Sequence, residues 1–171
     1  MLHDIVETTR LRIRPYREDD SNALLQILGD PTTMAFWPAP FTEHETQIWI
    51  HRSIHSYQEH GFGRWAVILK EEDRLIGDVG ILKSVIDGNV EHDLGYIIDA
   101  KYWRQGYAVE AARSCMNYGI QELGLTRLCA NMPYHHHGSI RTAERLGMRR
   151  EKEFHNPRNR EMLTYLYSIQ V

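Results

Sequence analysis

The 171-residue chain has no apolar run long enough to cross a bilayer, no low-complexity tract, no internal repeat and no linker-like stretch. A spanning helix needs about 20 predominantly apolar residues, so no membrane partner is expected. The opening residues MLHDIVETTRLRIRP lack the apolar centre of a signal peptide, and the expected compartment is the cytoplasm. Cysteine is scarce. Cys115 and Cys129 are the only two, both in apolar surroundings, and they read as reduced, buried thiols rather than a disulfide framework. An excess of positive charge is also missing: a net charge of −3 offers no basic stripe for nucleic acid and suits a cationic substrate. What is present, 42% hydrophobic and 25% charged residues over residues 1–171, describes a single domain that buries a core without staples.

Hydrophobic periodicity gives the order of elements. TTRLRIRPY alternates as a strand, with Leu11 and Ile13 on one face and Arg10, Arg12 and Arg14 on the other. EDDSNALLQILGDP follows as a helix that Gly29 and Pro31 end. Beyond FWPAPF, the pair Thr42 and Glu45 forms a capping box, which starts a helix from about Glu43 to His60 with Gly61 as its stop. GRWAVILK and RLIGDVGILKSV read as a hairpin and EHDLGYIID as the next strand. GYAVEAARSCMNYGIQELG then places Ala108, Ala111, Ala112, Cys115, Met116 and Gly119 on one helix face, small enough to lie close to a sheet. TRLCANMPY, SIRTAERLG and MLTYLYSIQV complete a strand, a short helix and a last strand. The class is α+β around a mixed, mostly antiparallel sheet.

The junction IIDAKYWRQGYAVEAA carries the clearest chemistry. A helix beginning at Gly106 offers unpaired amides and the positive end of its dipole, which suit phosphate oxygens. Gly106 permits close backbone approach, Ala108 keeps the next contact small, and Arg104 adds positive charge. Such a glycine alone is also an ordinary turn.

From Tyr102 to Ala111 the residues YWRQGYAVEA resemble the acyl-CoA signature of the GCN5-related N-acetyltransferase (GNAT) superfamily, closest to its RimJ/RimL-like branch. TTRLRIRPYREDD, LIGDVGI, DLGYIID and SIRTAERLGM extend the likeness over nearly the whole chain in the family's order. The resemblance implies a twisted sheet of about six to seven strands with about four flanking helices. It also implies a splay between the fourth and fifth strands that admits acetyl-CoA as co-substrate, without a metal. Ile97 and Ile98 would then offer main-chain hydrogen bonds to the pantetheine arm, and the amides of Arg104, Gln105, Gly106, Tyr107 and Ala108 would hold the pyrophosphate.

The implied activity is acetyl transfer to a primary amine, either a protein N-terminus or a small molecule, by direct attack on the thioester. The amine must first lose a proton, and the tetrahedral intermediate needs an amide for its oxyanion. Asp93 stands where the superfamily often places its base and reads equally as a surface or hydrogen-bonding residue of the sheet, with Glu91 in reserve on the same face. The family's acid is a tyrosine four residues before Gly147, where this chain has Ala143. Ser139, Tyr134 or no acid at all are the alternatives, and Ser139 also reads as a helix N-cap. Trp37 and Phe41 either bracket the acceptor or anchor their loop, and Asn156 to Glu161 offers an opposite wall. The missing tyrosine also leaves open a non-catalytic acyl-CoA-binding module, and relatives of this kind are often homodimers.

His135, His136 and His137 stand in a row. Adjacent side chains on a turning backbone do not converge on one ion, and no partner stands at zinc-like spacing. The family's Asn-x-x-Ser pattern puts His136 in the place of a cofactor-binding asparagine, with His135 and His137 as solvent-facing or loop residues. An imidazole there would make cofactor affinity pH-dependent near neutrality.

Overall fold

A computed structural model describes residues 3–171. In chain order the elements are β1 (Val6–Glu7), β2 (Leu11–Arg14), α1 (Ser21–Leu28), α2 (Glu43–His60), β3 (Arg64–Leu69), β4 (Arg74–Ile86), β5 (Asn89–Ile98), α3 (Tyr107–Gln121), β6 (Arg127–Pro133), α4 (His137–Arg145), β7 (Arg149–Asn156) and β8 (Met162–Gln170). All eight strands join one sheet in the order β1-β2-β3-β4-β5-β6-β8-β7. The expected six to seven become eight because β1 is only two residues long and β7, RREKEFHN, is mostly polar and exposed. Pairing to β8, rather than its own apolar pattern, makes β7 a strand.

Local signals set the helix ends. The amide of Glu45 donates to Thr42 Oγ1 at 3.2 Å, and the amide of Thr42 donates to Glu45 Oε2 at 2.7 Å. Two backbone donors at the start of α2 are thereby satisfied reciprocally. Gly61, at φ 80°, closes the same helix in the left-handed region. On α3 the small face permits close packing: a Cβ on Gly119 would stand 2.7 Å from Ile81 Cδ1.

The sheet separates two apolar layers. Leu11, Val67, Val79, Ile81 and Leu94 pack with Ala111, Ala112 and Cys115 of α3 on one side. Ala66, Ile68 and Ile97 pack with Leu24, Ile27 and Ile50 of α1 and α2 on the other.

β5 and β6 are parallel and share one pair, Asp93 with Cys129. Each strand is committed to its outer neighbour, β5 to β4 from Asn89 to Ile98 and β6 to β8 from Arg127 to Pro133. Past their shared pair the strands separate, and the N-termini of α3 and α4 stand at the open end of the wedge. This is the expected splay, between the fifth and sixth strands once β1 is counted.

Candidate active site

A cavity of about 580 Å³ opens from the wedge. Trp37, Tyr96, Ile97, Ile98, Arg104, Gly106, Tyr107, Ala108, His136 and Ser139 all line it. The sequence thus scatters over a hundred positions what the fold brings to one hollow. Gln105 and Phe41 stand outside that lining, and Phe41 faces a separate hollow beside Leu25, Asp99 and Lys101.

The strand-to-helix turn is built on unusual backbone. Arg104 has φ 63° and Gly106 φ 82°, both left-handed, and Gly106 occupies the N-cap of α3. Glycine accepts that region at little steric cost, whereas Arg104 does not. Tyr107 is buried at 7% exposure, so its ring belongs to the core and only its main chain is left for a ligand.

Main-chain direction distinguishes Ile97 from Ile98. The Asp99 amide donates to Ile76 O at 2.8 Å. In an antiparallel ladder, alternate residues face the same neighbour, so Ile97 also directs its amide and carbonyl to β4, opposite Asp78. Ile98 faces the wedge instead. Its carbonyl accepts from Trp103 Nε1 at 2.8 Å, which lays the indole across the opening. Ile97 therefore offers the cavity its side chain and Ile98 its backbone.

Asp93 lies at the apex of the wedge, outside the cavity lining. Asn131 Nδ2 donates to its Oδ1 at 3.3 Å. Burial pushes its carboxyl up to about 6, against the nearby Arg64 guanidinium and the Asn131 hydrogen bond. A carboxylate so tuned can take a proton near neutrality. Glu91 is engaged elsewhere. Arg127 donates to both of its oxygens, at 3.0 and 3.1 Å, and this pairing holds Glu91 below the usual carboxylate range.

Beneath Asp93 sits a polar cluster absent from the sequence reading. Fully buried Asp78 accepts from Tyr16 Oη at 2.5 Å, Trp49 Nε1 at 2.8 Å and Arg64 Nε at 2.5 Å. The Arg64 guanidinium crosses the β5 strand where a Cβ on Gly95 would be 1.4 Å from Nη1. Gly95 inside DLGYIID was the available signal; the partner it accommodates was not legible.

Helix α4 starts differently from the sequence expectation. His136 is the N-cap, and its Nδ1 accepts from the Ser139 amide at 3.4 Å. Ser139 lies inside the helix, with its hydroxyl donating to Tyr96 Oη at 3.2 Å; the Tyr96 hydroxyl in turn donates to Ser139 O at 2.8 Å. Burial holds the Tyr96 phenol well above its ordinary range. Tyr134 is 47% exposed and lines no part of the cavity. Burial, followed by the charges of His135 and His137, pushes the His136 imidazole down to about 4, so the expected titration near neutrality does not arise from it.

The remaining histidines part ways. His137 is exposed, whereas His135 is half-buried between Tyr134 and Phe36, with ring centroids at 4.7 and 5.0 Å. Of the two expectations His135 meets the second, a loop residue, and the α1–α2 loop folds over it. Among the described residues no group of three or more His, Cys, Asp or Glu could hold a metal ion. Trp37 and Phe41 of that loop and Trp49 of α2 meet edge to face at 5.6 to 6.0 Å. Trp37 and Phe41 therefore pack into one aromatic cluster instead of facing each other across a slot.

Comparison with known proteins agrees with this geometry. Residues 10–149 match the Acetyltransferase (GNAT) domain family. The uncharacterized N-acetyltransferase YnaD of Bacillus subtilis is 31% identical over 150 residues, which cover 87% of this chain and 85% of the relative. A GNAT-family acetyltransferase structure from Bacillus anthracis superposes with a TM-score of 0.83 at 29% identity, covering 99% and 98% of the two chains. RimL, a ribosomal L7/L12 alpha-N-protein acetyltransferase, shares the fold at a TM-score of 0.82 and 16% identity, covering 100% of this chain and 96% of its own. The family match over residues 10–149, together with the 31% identity to YnaD, places this chain in the GNAT acetyltransferase family.

Proposed function

We propose that this chain transfers the acetyl group of acetyl-CoA to a primary amine by direct attack. The observation that carries the reading is the wedge: one β5–β6 pair, an outward-facing Ile98 backbone, and two helix N-termini at its open end. Acetyl-CoA would supply the thioester that the amine attacks. Ile98 offers main-chain hydrogen bonds to the pantetheine arm once the Trp103 indole yields its carbonyl, and Ile97 provides an apolar wall. The main chain from Arg104 to Ala108 holds the pyrophosphate at the start of α3. His136, neutral and with Nδ1 accepting, keeps its Nε2 proton as a donor for the same arm.

Asp93 takes the ammonium proton, directly or through a water, at the apex where the wedge closes. Ser139, backed by Tyr96, offers a cavity-lining hydroxyl for the departing thiolate. Trp37 contributes one wall of the acceptor entrance. RimL is described as acting on a protein N-terminal amine; here the acceptor is a primary amine, borne by a protein or a small molecule. Two free, buried cysteines suit a reducing compartment such as the cytoplasm.

The test incubates pure protein with acetyl-CoA and a panel of peptide N-termini, polyamines and aminoglycosides, reading release of free thiol. Turnover with at least one amine is expected. Failure to bind acetyl-CoA by calorimetry overturns the reading, and binding without turnover by either wild type or Asp93→Asn favours an acyl-CoA-binding module, motivated by Ala143.

A further inference from the structure

Between β1 and β2 one arginine holds the whole turn that precedes α3. The Arg10 amide donates to Glu110 Oε1 at 3.0 Å and its Nε to Glu110 Oε2 at 2.7 Å, while Nη2 lies 2.6 Å from the same Oε2. Its Nη1 donates to the carbonyl of Gln105 at 2.8 Å, and its guanidinium stands 4.1 Å from the centroid of the Tyr107 ring. Thr8 completes the anchor by donating its hydroxyl to Glu110 Oε1 at 2.6 Å. One side chain therefore contacts a carbonyl, a ring and a carboxylate spread over Gln105 to Glu110.

The contact with Gln105 has a directional consequence. In a trans peptide the carbonyl and the following amide point in opposite directions. With the Gln105 carbonyl drawn to Arg10, the Gly106 amide is fixed on the other side. Left free, a peptide flanked by glycine in the left-handed region can turn over at small cost, and Gly106 has φ 82°. The guanidinium fork reaches two acceptors at once, which a lysine ammonium does not reproduce in one geometry.

We infer that Arg10 is a positioning residue for anion binding, locking the Gln105–Gly106 peptide so that the Gly106 amide stays directed at the pyrophosphate of the CoA co-substrate. This rests on the proposed acetyl-CoA reading. Arg10 itself touches no phosphate, because Glu110 and Gln105 engage its donors.

The experiment compares two probes, CoA and pantetheine, the second lacking the pyrophosphate and nucleotide. Calorimetry reads CoA affinity, and NMR titration reads the weaker pantetheine. In Arg10→Met, CoA affinity is expected to fall about ten- to a hundredfold, the range of one charge-assisted hydrogen bond, with pantetheine affinity unchanged. Arg10→Lys should keep the pairing with Glu110 and still lose CoA affinity. Equal losses for both probes, which general misfolding would also produce, overturn the inference, as does full CoA affinity in either variant. A wild type that binds no CoA instead defeats the proposed function.

Discussion

The ring of Phe36 lies parallel to that of His136, with 3.9 Å between centroids and 9° between planes. The Phe36 carbonyl also accepts from buried Asn159 Nδ2 at 2.9 Å, so the α1–α2 loop, the start of α4 and the β7–β8 connection meet at one point. Truncation as Phe36→Ala removes the stack that holds the imidazole at the cavity edge. Acetyl-CoA affinity should weaken about two- to tenfold, the range of an aromatic pair, by calorimetry. Unchanged affinity would show that the stack does not serve the cofactor.

The low titration of His136 predicts a pH dependence of stability, not of binding. Its imidazole titrates near 6.5 when unfolded and at about 4 when folded. Between those values the unfolded chain binds the extra proton, so stability falls as pH drops through that window. His136→Asn should flatten this acid limb in urea unfolding followed across it. Acetyl-CoA affinity of the wild type should show no His136 transition between roughly pH 5.5 and 8.

Asp93 behaves in the opposite sense. Its carboxyl rises from 3.8 to about 6 on folding, so the folded state holds the proton more tightly and stability declines as pH rises through that range. Asp93→Asn should therefore be at least as stable as wild type above pH 7 while kcat drops about a hundredfold or more. The wild-type rate should climb with pH through about 6. A variant with normal kcat would remove Asp93 as the base.

Gly95 should tolerate no side chain. A Cβ placed 1.4 Å from Arg64 Nη1 must expel a guanidinium that is buried and bound to Asp78. Breaking such a pair costs about 3–5 kcal/mol, because one charge is left without its partner. Denaturant unfolding of Gly95→Ala measures this, and a loss under about 1 kcal/mol would mean that Arg64 relocates freely.

Ser139 can be separated from capping. Since His136 is the N-cap, Ser139→Ala should change stability by only about 0.5 kcal/mol while lowering kcat, and His136→Ala should cost about 1 kcal/mol of helix stability. The reverse pattern in melting experiments and initial rates would return Ser139 to a purely structural role.

Much of this architecture was legible because it is local. Thr42, Glu45 and Gly61 state the limits of α2, and the small residues of α3 state which face meets the sheet. The strand β7 was not, because RREKEFHN carries no apolar alternation and depends on β8 for its backbone partners. The same division runs through the site. Gly106 and Trp103 could be placed from their motif, but the sequence alone gave no means of knowing that Ile97 faces β4 while Ile98 faces the wedge.

The sequence by itself determined the elements other than β1 and β7 and the phosphate-type turn, since periodicity, caps and glycines act over a few residues, while the wedge followed from the family resemblance. Only the tertiary structure decided that Asp93 sits over a buried Arg64, that Phe36 covers His136, and that Arg10 braces Gln105 and Glu110. Those relationships join residues up to a hundred positions apart. Burial and ion pairing, which set the carboxyl near 6 and the imidazole near 4, exist only once distant elements have packed.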